Sequence, residues 1–323
     1  MLEKLGEDFY RVEVPLPNSP LKYLNSYVIK GPRRNLIVDT GMNRTECLEA
    51  MQEALGKLKV DLARTDFFIT HLHSDHLGLV GRLAGESCRI YFNRQDAEKR
   101  QDADRWEKIF NFAKLNGFPQ KELSALLKQH PGLKYQESQE LDFTILQDGD
   151  CVTCGGYNFV CVHAPGHTNG HLCLYEPARK WFIAGDVVLG DITPNIPQWN
   201  LEDNLLAQYL DTLDKVRGMD ISLVLPGHRR LIHDHCGRID EIKEHHRVRL
   251  EEILRILASG PSNAFALAGH MKWDIASDWS AFPVTQKWFA TGEAMAHLAY
   301  LRHKGQVACH FNPEGISYAL EPH

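Results

Sequence analysis

The stretch His71-Leu72-His73-Ser74-Asp75-His76 places four side chains that can bind a metal ion within six residues. It follows the apolar run 67–70, which predicts a short buried strand, and it precedes an apolar pattern, beginning at residue 77, that predicts a helix. A loop between a strand and a helix can direct several side chains toward one point. We therefore expect His71 and His73 to hold one ion, and Asp75 and His76, at the start of the helix, to face a second ion.

Three later segments repeat one arrangement, in which an apolar run meets a glycine and then a residue that can bind a metal. These residues are His167, Asp186 and His228. Apolar runs of this length are typical of buried strands, and strands of one sheet can deliver such side chains to a common edge. The sequence therefore predicts one metal site at the edge of a sheet, built from distant parts of the chain.

These motifs, in this order, resemble those of the metallo-β-lactamase superfamily of hydrolases, over roughly residues 9–235. The resemblance implies one metal held by His71, His73 and His167. It implies a second metal held by Asp75, His76 and His228. Asp186 would bridge the two ions.

The resemblance extends to residues that surround the metals. Val38-Asp39-Thr40-Gly41 matches an early motif of the family, and Asp39 would support a ligand without binding the metal itself. We expect His171 to have a similar supporting role. Asn195, in the loop after Asp186, is a candidate donor to a substrate oxygen. Arg229 stands where relatives frequently have glycine, so we expect it to shape the mouth of the pocket.

The donor set consists of five imidazoles and two carboxylates and contains no thiolate. Such nitrogen and oxygen donors suit zinc best, and they also suit iron or manganese. Two divalent cations about 3.5–4 Å apart can share a hydroxide and lower the pKa of its parent water toward neutrality. We expect that hydroxide to be the nucleophile and Asp75 to be the catalytic side chain that accepts its hydrogen bond.

Apolar patterns predict strands at 9–14, 24–30, 35–39, 67–70, 143–146, 157–162, 171–175, 182–184 and 223–225. They predict helices at 43–58, at 77–83 and near 201–216. This order indicates an α/β protein made of two similar halves, each with helices on one face of a sheet. The family resemblance implies a four-layer αβ/βα sandwich. We assign residues 1–236 to this catalytic domain, with a helical insertion at about residues 94–130 that could cap the site or form a plain surface addition.

Residues 237–323 are predicted to form a small, mainly helical C-terminal domain. Helical patterns at 238–257, 263–268 and 285–304 precede a possible two-stranded segment at 306–320. This order resembles the winged-helix-like domain appended to a subset of these hydrolases. The resemblance depends chiefly on the segment Glu293-Ala294-Met295-Ala296-His297-Leu298-Ala299-Tyr300-Leu301.

Composition is typical of a globular cytoplasmic protein. The chain has 323 residues, 43% of them hydrophobic, and a net charge of −6. Its N-terminus lacks an apolar secretory core, and no apolar run reaches the roughly 18 residues that a membrane span needs. Eight scattered cysteines favour a reducing compartment, and Cys151-Val152-Thr153-Cys154 precedes Gly155-Gly156, which predicts a hairpin turn and not a redox helix.

Three functions remain open from the sequence. The first is a binuclear, glyoxalase-II-like hydrolase of a small ester, thioester or lactone. The second is a metal-dependent endoribonuclease, although residues 262–323 carry four Lys or Arg against five acidic residues, which disfavours nucleic acid as a partner. The third is a mononuclear iron persulfide dioxygenase. We expect a small-molecule substrate, no membrane partner and a possible homodimer.

Overall fold

A seven-stranded sheet forms the first half of the protein. The computed structural model describes residues 1–137, 139–275 and 277–322. In chain order the strands of this sheet are β1 Leu2–Gly6, β2 Phe9–Pro15, β3 Tyr23–Ile29, β4 Asn35–Val38, β5 Thr65–Phe68, β6 Ile90–Asn93 and β7 Phe143–Leu146. They are neighbours in that same order. Strands β1 to β4 pair antiparallel, and β4 to β7 pair parallel.

A five-stranded sheet forms the second half. Its strands are β8 Cys151–Cys154, β9 Tyr157–His163, β10 Leu172–Glu176, β11 Trp181–Gly185 and β12 Leu223–Pro226. The spatial order is β12-β11-β10-β9-β8. Strands β11 and β12 are parallel, and β9 and β11 both run antiparallel to β10 between them. Strands β9, β11 and β12 therefore end at the same edge of the sheet.

Eleven α-helices connect and cover these sheets in the described part of the chain. They are α1 Thr45–Leu58, α2 Ser74–Leu77, α3 Val80–Leu83, α4 Arg94–Gln101, α5 Arg105–Leu115, α6 Gln120–Gln129, α7 Pro131–Lys134, α8 Leu205–Arg217, α9 His235–Leu257, α10 Ala264–His270 and α11 Val284–His303. A hairpin of β13 Val307–Asn312 and β14 Gly315–Leu320 follows α11. None of the described helices combines the length and the apolar character that crossing a membrane requires.

The alternation of side chains along the strands produces four layers, because successive residues of a strand point to opposite faces. In β3, Val28 packs in a cluster with residues of α1, whereas Ile29 packs in the cluster between the two sheets. In β11, Phe182 packs in the cluster that includes residues of α8, whereas Ile183 faces the first sheet. The layers are thus helix, sheet, sheet and helix, which confirms the predicted metallo-β-lactamase fold.

Most predicted elements are present, with shifted ends. The predicted helix at 77–83 is two short helices, α2 and α3, and α2 begins earlier, at Ser74. Strands β1, β6 and β8 were not predicted. The turn at Gly155-Gly156 is confirmed, since Cys154 pairs with Tyr157 across it and both glycines have positive φ values of 57° and 80°.

The helical insertion packs against the C-terminal region. The shared cluster contains Phe118, Leu123 and Leu126 from the insertion and Trp288 from α11. The Trp288 ring stacks on Trp199, with centroids 3.7 Å apart. Helix α9 contributes Ile239 to one core and Ile253 to another, so it spans the predicted boundary at residue 236. That boundary and the winged-helix assignment stay predictions, whereas the helices and the hairpin predicted there are present.

The Trp288→Ala variant should lower the free energy of unfolding by about 3–5 kcal/mol, because it removes a large buried ring and leaves a cavity. Denaturant titration measures the change. The control is Phe311→Ala, which removes a side chain that is 70% exposed and should change stability by less than about 0.5 kcal/mol. Equal effects of the two substitutions would contradict the packing described here.

Candidate metal centre

The predicted metal-binding side chains come together at one edge of the two sheets. His71 follows β5, Asp186 follows β11 and His228 follows β12. His167 follows β9, which runs in the same direction as β11. Backbone hydrogen bonds join the two halves at this edge: the Leu172 N–H donates to the Thr70 carbonyl at 2.8 Å, and the Asn25 N–H donates to the Gly227 carbonyl.

Three imidazole nitrogens form the first donor group. His73 Nδ1 lies 3.0 Å from His71 Nε2 and 2.9 Å from His167 Nε2. The other nitrogens of two rings are already engaged, since His71 Nδ1 lies 3.0 Å from the Thr70 hydroxyl and His167 Nδ1 lies 2.7 Å from the carbonyl oxygen of Asn195. The His71 and His167 rings therefore direct the lone pairs of Nε2 toward His73.

The second donor group consists of Asp75, His76 and His228. Asp75 and His76 lie in the single turn of α2, next to the loop that carries His73. His228 Nε2 is 3.3 Å from Asp75 Oδ2, and His76 Nε2 is 4.0 Å from the same oxygen. His228 Nδ1 lies 2.8 Å from the carbonyl oxygen of Tyr23, so Nε2 is the nitrogen that faces the group.

Asp186 lies between the two groups. Its Oδ1 is 3.5 Å from His76 Nε2, and its Oδ2 is 3.5 Å from His228 Nε2 and 3.7 Å from His167 Nε2. The chain reaches this position through Gly185, whose φ of +48° is in the left-handed region. A Cβ at Gly185 would lie 2.6 Å from His171 Nε2, so only glycine fits there.

Asp39 and His171 contact residues of the donor groups at atoms other than the donor atoms. The Asp39 carboxylate accepts hydrogen bonds from His76 Nδ1 at 2.7 Å, from the Thr70 hydroxyl at 2.8 Å and from the Thr70 N–H at 2.9 Å. His171 Nε2 accepts a hydrogen bond from the Asp186 N–H at 3.1 Å, and its ring stacks on that of His71. Both residues therefore orient other side chains, as supporting groups of a metal site do.

The side chains of the first donor group are neutral, whereas those of the second donor group are charged. Burial and the neighbouring histidines lower the pKa values of His71 and His73 well below the usual range, and burial lowers that of His167, so these rings are neutral and have free lone pairs. Burial alone would lower the pKa of His228, but Asp186 and Asp75 raise it to about 10. Burial raises the pKa of Asp75, but His76 and His228 outweigh it and lower that pKa to about 2.

The donor atoms fit divalent metal ions. His76 Nε2, His228 Nε2 and Asp186 Oδ1 are buried and have no hydrogen-bond partner among the described residues. Three sets of three side chains have donor atoms close enough to share an ion. Two of these sets are the first and second donor groups, and the third consists of His71, His76 and Asp186, which connects the two groups. Leaving such polar atoms buried without a partner costs free energy, and cations at the two groups would remove that cost.

Asn195 and Arg229 are placed differently from the metal-binding residues. The Asn195 amide donates to Glu293 Oε2 at 2.8 Å, so this nitrogen is engaged within the protein. The Arg229 guanidinium donates to the Pro20 carbonyl. Its backbone has a φ of +67°, a conformation that favours glycine. Their contacts with substrate stay predictions.

Sequence reasoning missed several supporting groups. Thr70 connects His71 to Asp39, and the carbonyl groups of Tyr23 and Asn195 accept hydrogen bonds from His228 and His167. Thr70 stands directly before the metal-binding motif, which is a signal that could have been used. The two carbonyl groups belong to the backbone and have no signature in the sequence.

The four-layer fold and the histidine and aspartate donor groups are those expected of a metallo-β-lactamase-fold protein. Residues 21–228 match the family described as the Metallo-beta-lactamase superfamily, so the chain belongs to that superfamily.

The chain is similar to particular members. It is 30% identical to the hydroxyacylglutathione hydrolase of Bdellovibrio bacteriovorus over 133 residues, which are 41% of this chain and 37% of that protein. It is 28% identical to the acyl-coenzyme A thioesterase MBLAC2 of Homo sapiens over 220 residues, 63% of this chain and 72% of that one. The crystal structure of a metallo-beta-lactamase family protein from Thermus thermophilus superposes with a TM-score of 0.84 at 26% identity, covering 98% of this chain and 100% of that chain.

Gly227→Ala should weaken zinc binding by about 10–100-fold, the range typical of changes that disturb ligand orientation. A Cβ at this position would lie 2.5 Å from Asp186 Oδ1 and 2.8 Å from His76 Cε1, so both side chains would have to move. Competition with a chromophoric chelator measures the affinity. Gly56→Ala is the control, because a Cβ there meets no atom within 4 Å. Unchanged affinity in Gly227→Ala would contradict the predicted ligand set.

Zinc binding at neutral pH should release about one to two protons per chain, since ligands must lose their protons to bind. Below the His228 pKa of about 10, the metal-free protein carries a proton on that ring, which binding displaces. Because binding releases protons, the affinity for zinc falls as the pH falls. Calorimetric titration in buffers of different ionisation enthalpy counts the protons. Burial lowers the pKa of His76, but Asp39, Asp186 and Asp75 outweigh it and raise that pKa well above its usual range, so this ring also carries a proton. A proton count of zero at pH 7 would show that the ion displaces the proton of neither ring.

Proposed function

We propose that the protein is a binuclear metal-dependent hydrolase of a small ester, thioester or lactone, and that a thioester is the best candidate. The observation that carries this proposal is the arrangement of seven side chains in two adjoining groups, with Asp186 between them. His71, His73 and His167 would hold one ion. Asp75, His76 and His228 would hold the other, and Asp186 would contact both.

Two divalent ions at these groups would supply Lewis acids and a water of lowered pKa. The protein's own contribution is to fix the donors. Asp39 holds His76 through a 2.7 Å hydrogen bond, and His171 holds the backbone of Asp186. Asp75 has two carboxylate oxygens, of which Oδ2 faces His228. In this proposal Asp75 would help to hold one ion and would accept a hydrogen bond from the water bound there, which would give it the catalytic role.

The thioester preference is supported by the relatives. One is named an acyl-coenzyme A thioesterase, and another is named a hydroxyacylglutathione hydrolase. The similarity to the second relative covers 41% of this chain. The donor set supports hydrolysis, and the names of these two relatives support a thioester as the bond that is cleaved.

Two alternatives have less support. An endoribonuclease needs free positive charge near its substrate. Of the four cations in residues 262–323, Lys287 pairs with Glu122 and Arg302 donates to the carbonyl of Leu201, so two are engaged within the protein. A mononuclear iron dioxygenase would use only part of the donor set. The second donor group favours the two-metal hydrolase over that alternative.

His73→Ala should abolish hydrolysis while the fold persists, because it removes the nitrogen that lies between His71 and His167. The measurement is initial rate against a panel of an acyl-coenzyme A, an S-hydroxyacylglutathione, a phenyl ester, a lactone and single-stranded RNA, with circular dichroism as a check of folding. Loss of one metal ligand should cost at least about 100-fold in rate.

The matched control is His270→Ala, which removes an exposed histidine whose Nδ1 lies 2.8 Å from the carbonyl oxygen of Ala266. It should retain the rate of the unmodified protein. Full activity of His73→Ala would contradict the ligand assignment. Cleavage of RNA alone, with affinity that falls steeply as salt is added, would replace the thioester proposal by the nuclease.

A further inference from the structure

The loop between β11 and α8, residues 187–204, lies against the C-terminal helices. Its first part is held by α9: the Arg238 guanidinium donates to the carbonyl oxygens of Leu189 at 2.7 Å and of Ile192 at 2.9 Å. These are charge-assisted hydrogen bonds, which are stronger than neutral ones. The start of the loop is therefore fixed by a residue outside the predicted catalytic domain.

Helix α11 holds the rest of this loop. The Gln198 N–H donates to the carbonyl oxygen of Gly292 at 3.1 Å, and the Trp199 ring stacks on Trp288. A Cβ at Gly292 would lie 3.0 Å from the Trp199 ring, so the loop lies directly on the helix backbone. The Arg302 guanidinium donates to the carbonyl oxygen of Leu201. Contacts along several turns of α11 thus set the position of the loop.

Asn195, in the middle of this loop, connects α11 to the candidate metal centre. Its carbonyl oxygen accepts the hydrogen bond from His167 Nδ1 at 2.7 Å. Its side-chain amide donates to Glu293 Oε2 at 2.8 Å and to the carbonyl oxygen of Phe289 at 3.3 Å. Two consecutive hydrogen bonds therefore lead from Glu293 to the imidazole of His167.

Glu293 is well suited to anchor this connection. It is 7% exposed, and its carboxylate lies 3.6 Å from His245 Nε2 and 3.8 Å from Arg249 Nε. Burial raises its pKa, but the neighbouring His245, His297 and Arg249 outweigh burial and lower the pKa to about 2. The group is thus ionised at neutral pH, and an ionised acceptor holds the Asn195 amide more firmly than a neutral one.

We propose that Glu293 is a positioning residue of the metal centre, which orients His167 by fixing the backbone of Asn195. The proposal rests on the role of His167 as a metal ligand in the proposed function. A metal-binding imidazole depends on a fixed acceptor for its other N–H, because that acceptor sets the direction of the binding nitrogen. The C-terminal region would then be part of the metal centre and not a separate appended module.

The test measures zinc affinity of Glu293→Ala by chelator competition, which resolves two dissociation constants, and records the visible spectrum of the cobalt-substituted protein. We expect one constant to weaken by about 10–100-fold, as for other lost supporting groups, while the second is unchanged. The cobalt spectrum should change with it, because the geometry at His167 relaxes. Glu293→Gln keeps an oxygen that can accept the hydrogen bond from Asn195, so this variant should lose less zinc affinity than Glu293→Ala.

The matched control is Glu252→Ala in α9. Glu252 is also partly buried and also lies near Arg249, but it accepts from the Lys272 N–H and has no bond to the loop among the described residues. Both constants and the cobalt spectrum should stay as in the unmodified protein. If Glu293→Ala fails to fold, Asn195→Ala breaks the same bond from the other side and should weaken the same single constant.

His167→Ala separates the two proposals. If it leaves both constants unchanged, the ligand assignment fails and this inference fails with it. If it weakens one constant while Glu293→Ala and Asn195→Ala lower only the thermal stability, Glu293 is merely structural and the inference alone is overturned. If the losses of zinc affinity in Glu293→Ala and Asn195→Ala add up in the double variant, the inference is likewise overturned. Substitutions of two residues that act through one bond should not have additive effects.

Discussion

The crowding of polar donor atoms in a buried space is the constraint on which the rest of this structure depends. Five imidazoles and two carboxylates converge at one edge of two packed sheets, and several of their atoms lack a partner within the described protein. In a buried environment, such an arrangement is costly without positive charge between the donors. The fold supplies that geometry, because parallel strands end at the same edge, and the two sheets pack so that their edges meet.

The orientation of the imidazole rings is the second requirement, and the protein meets it with hydrogen bonds to the ring nitrogens that do not face the centre. Four of the five imidazoles have their Nδ1 near an oxygen, so that Nε2 faces the centre. The acceptors come from several parts of the molecule: Thr70 and Asp39 follow strands of the first sheet, Tyr23 begins β3, and Asn195 lies in the loop on α11. Residues far from the metal-binding motifs therefore contribute to the site.

The donor residues could be predicted from the sequence because each follows an apolar strand and stands in a short, local motif. The two halves, each with helices on one face of a sheet, could be predicted because buried strands alternate with amphipathic helices, whereas the four-layer sandwich came from the family resemblance. Other features depend on tertiary contacts. Strand β1 is short and charged, with no continuous apolar run, and β8 alternates exposed and buried residues in a pattern too short to distinguish from a loop. The acceptor carbonyls are backbone groups, and Glu293 lies 98 residues from Asn195 along the chain.

The most direct test is anomalous X-ray diffraction from crystals of protein purified without added metal, together with elemental analysis of the same sample. The account predicts two divalent ions per chain. One should lie among His71, His73 and His167, and the other among Asp75, His76 and His228, with Asp186 in contact with both. A single ion bound by only one group, or full activity in a sample that contains no metal, would contradict it.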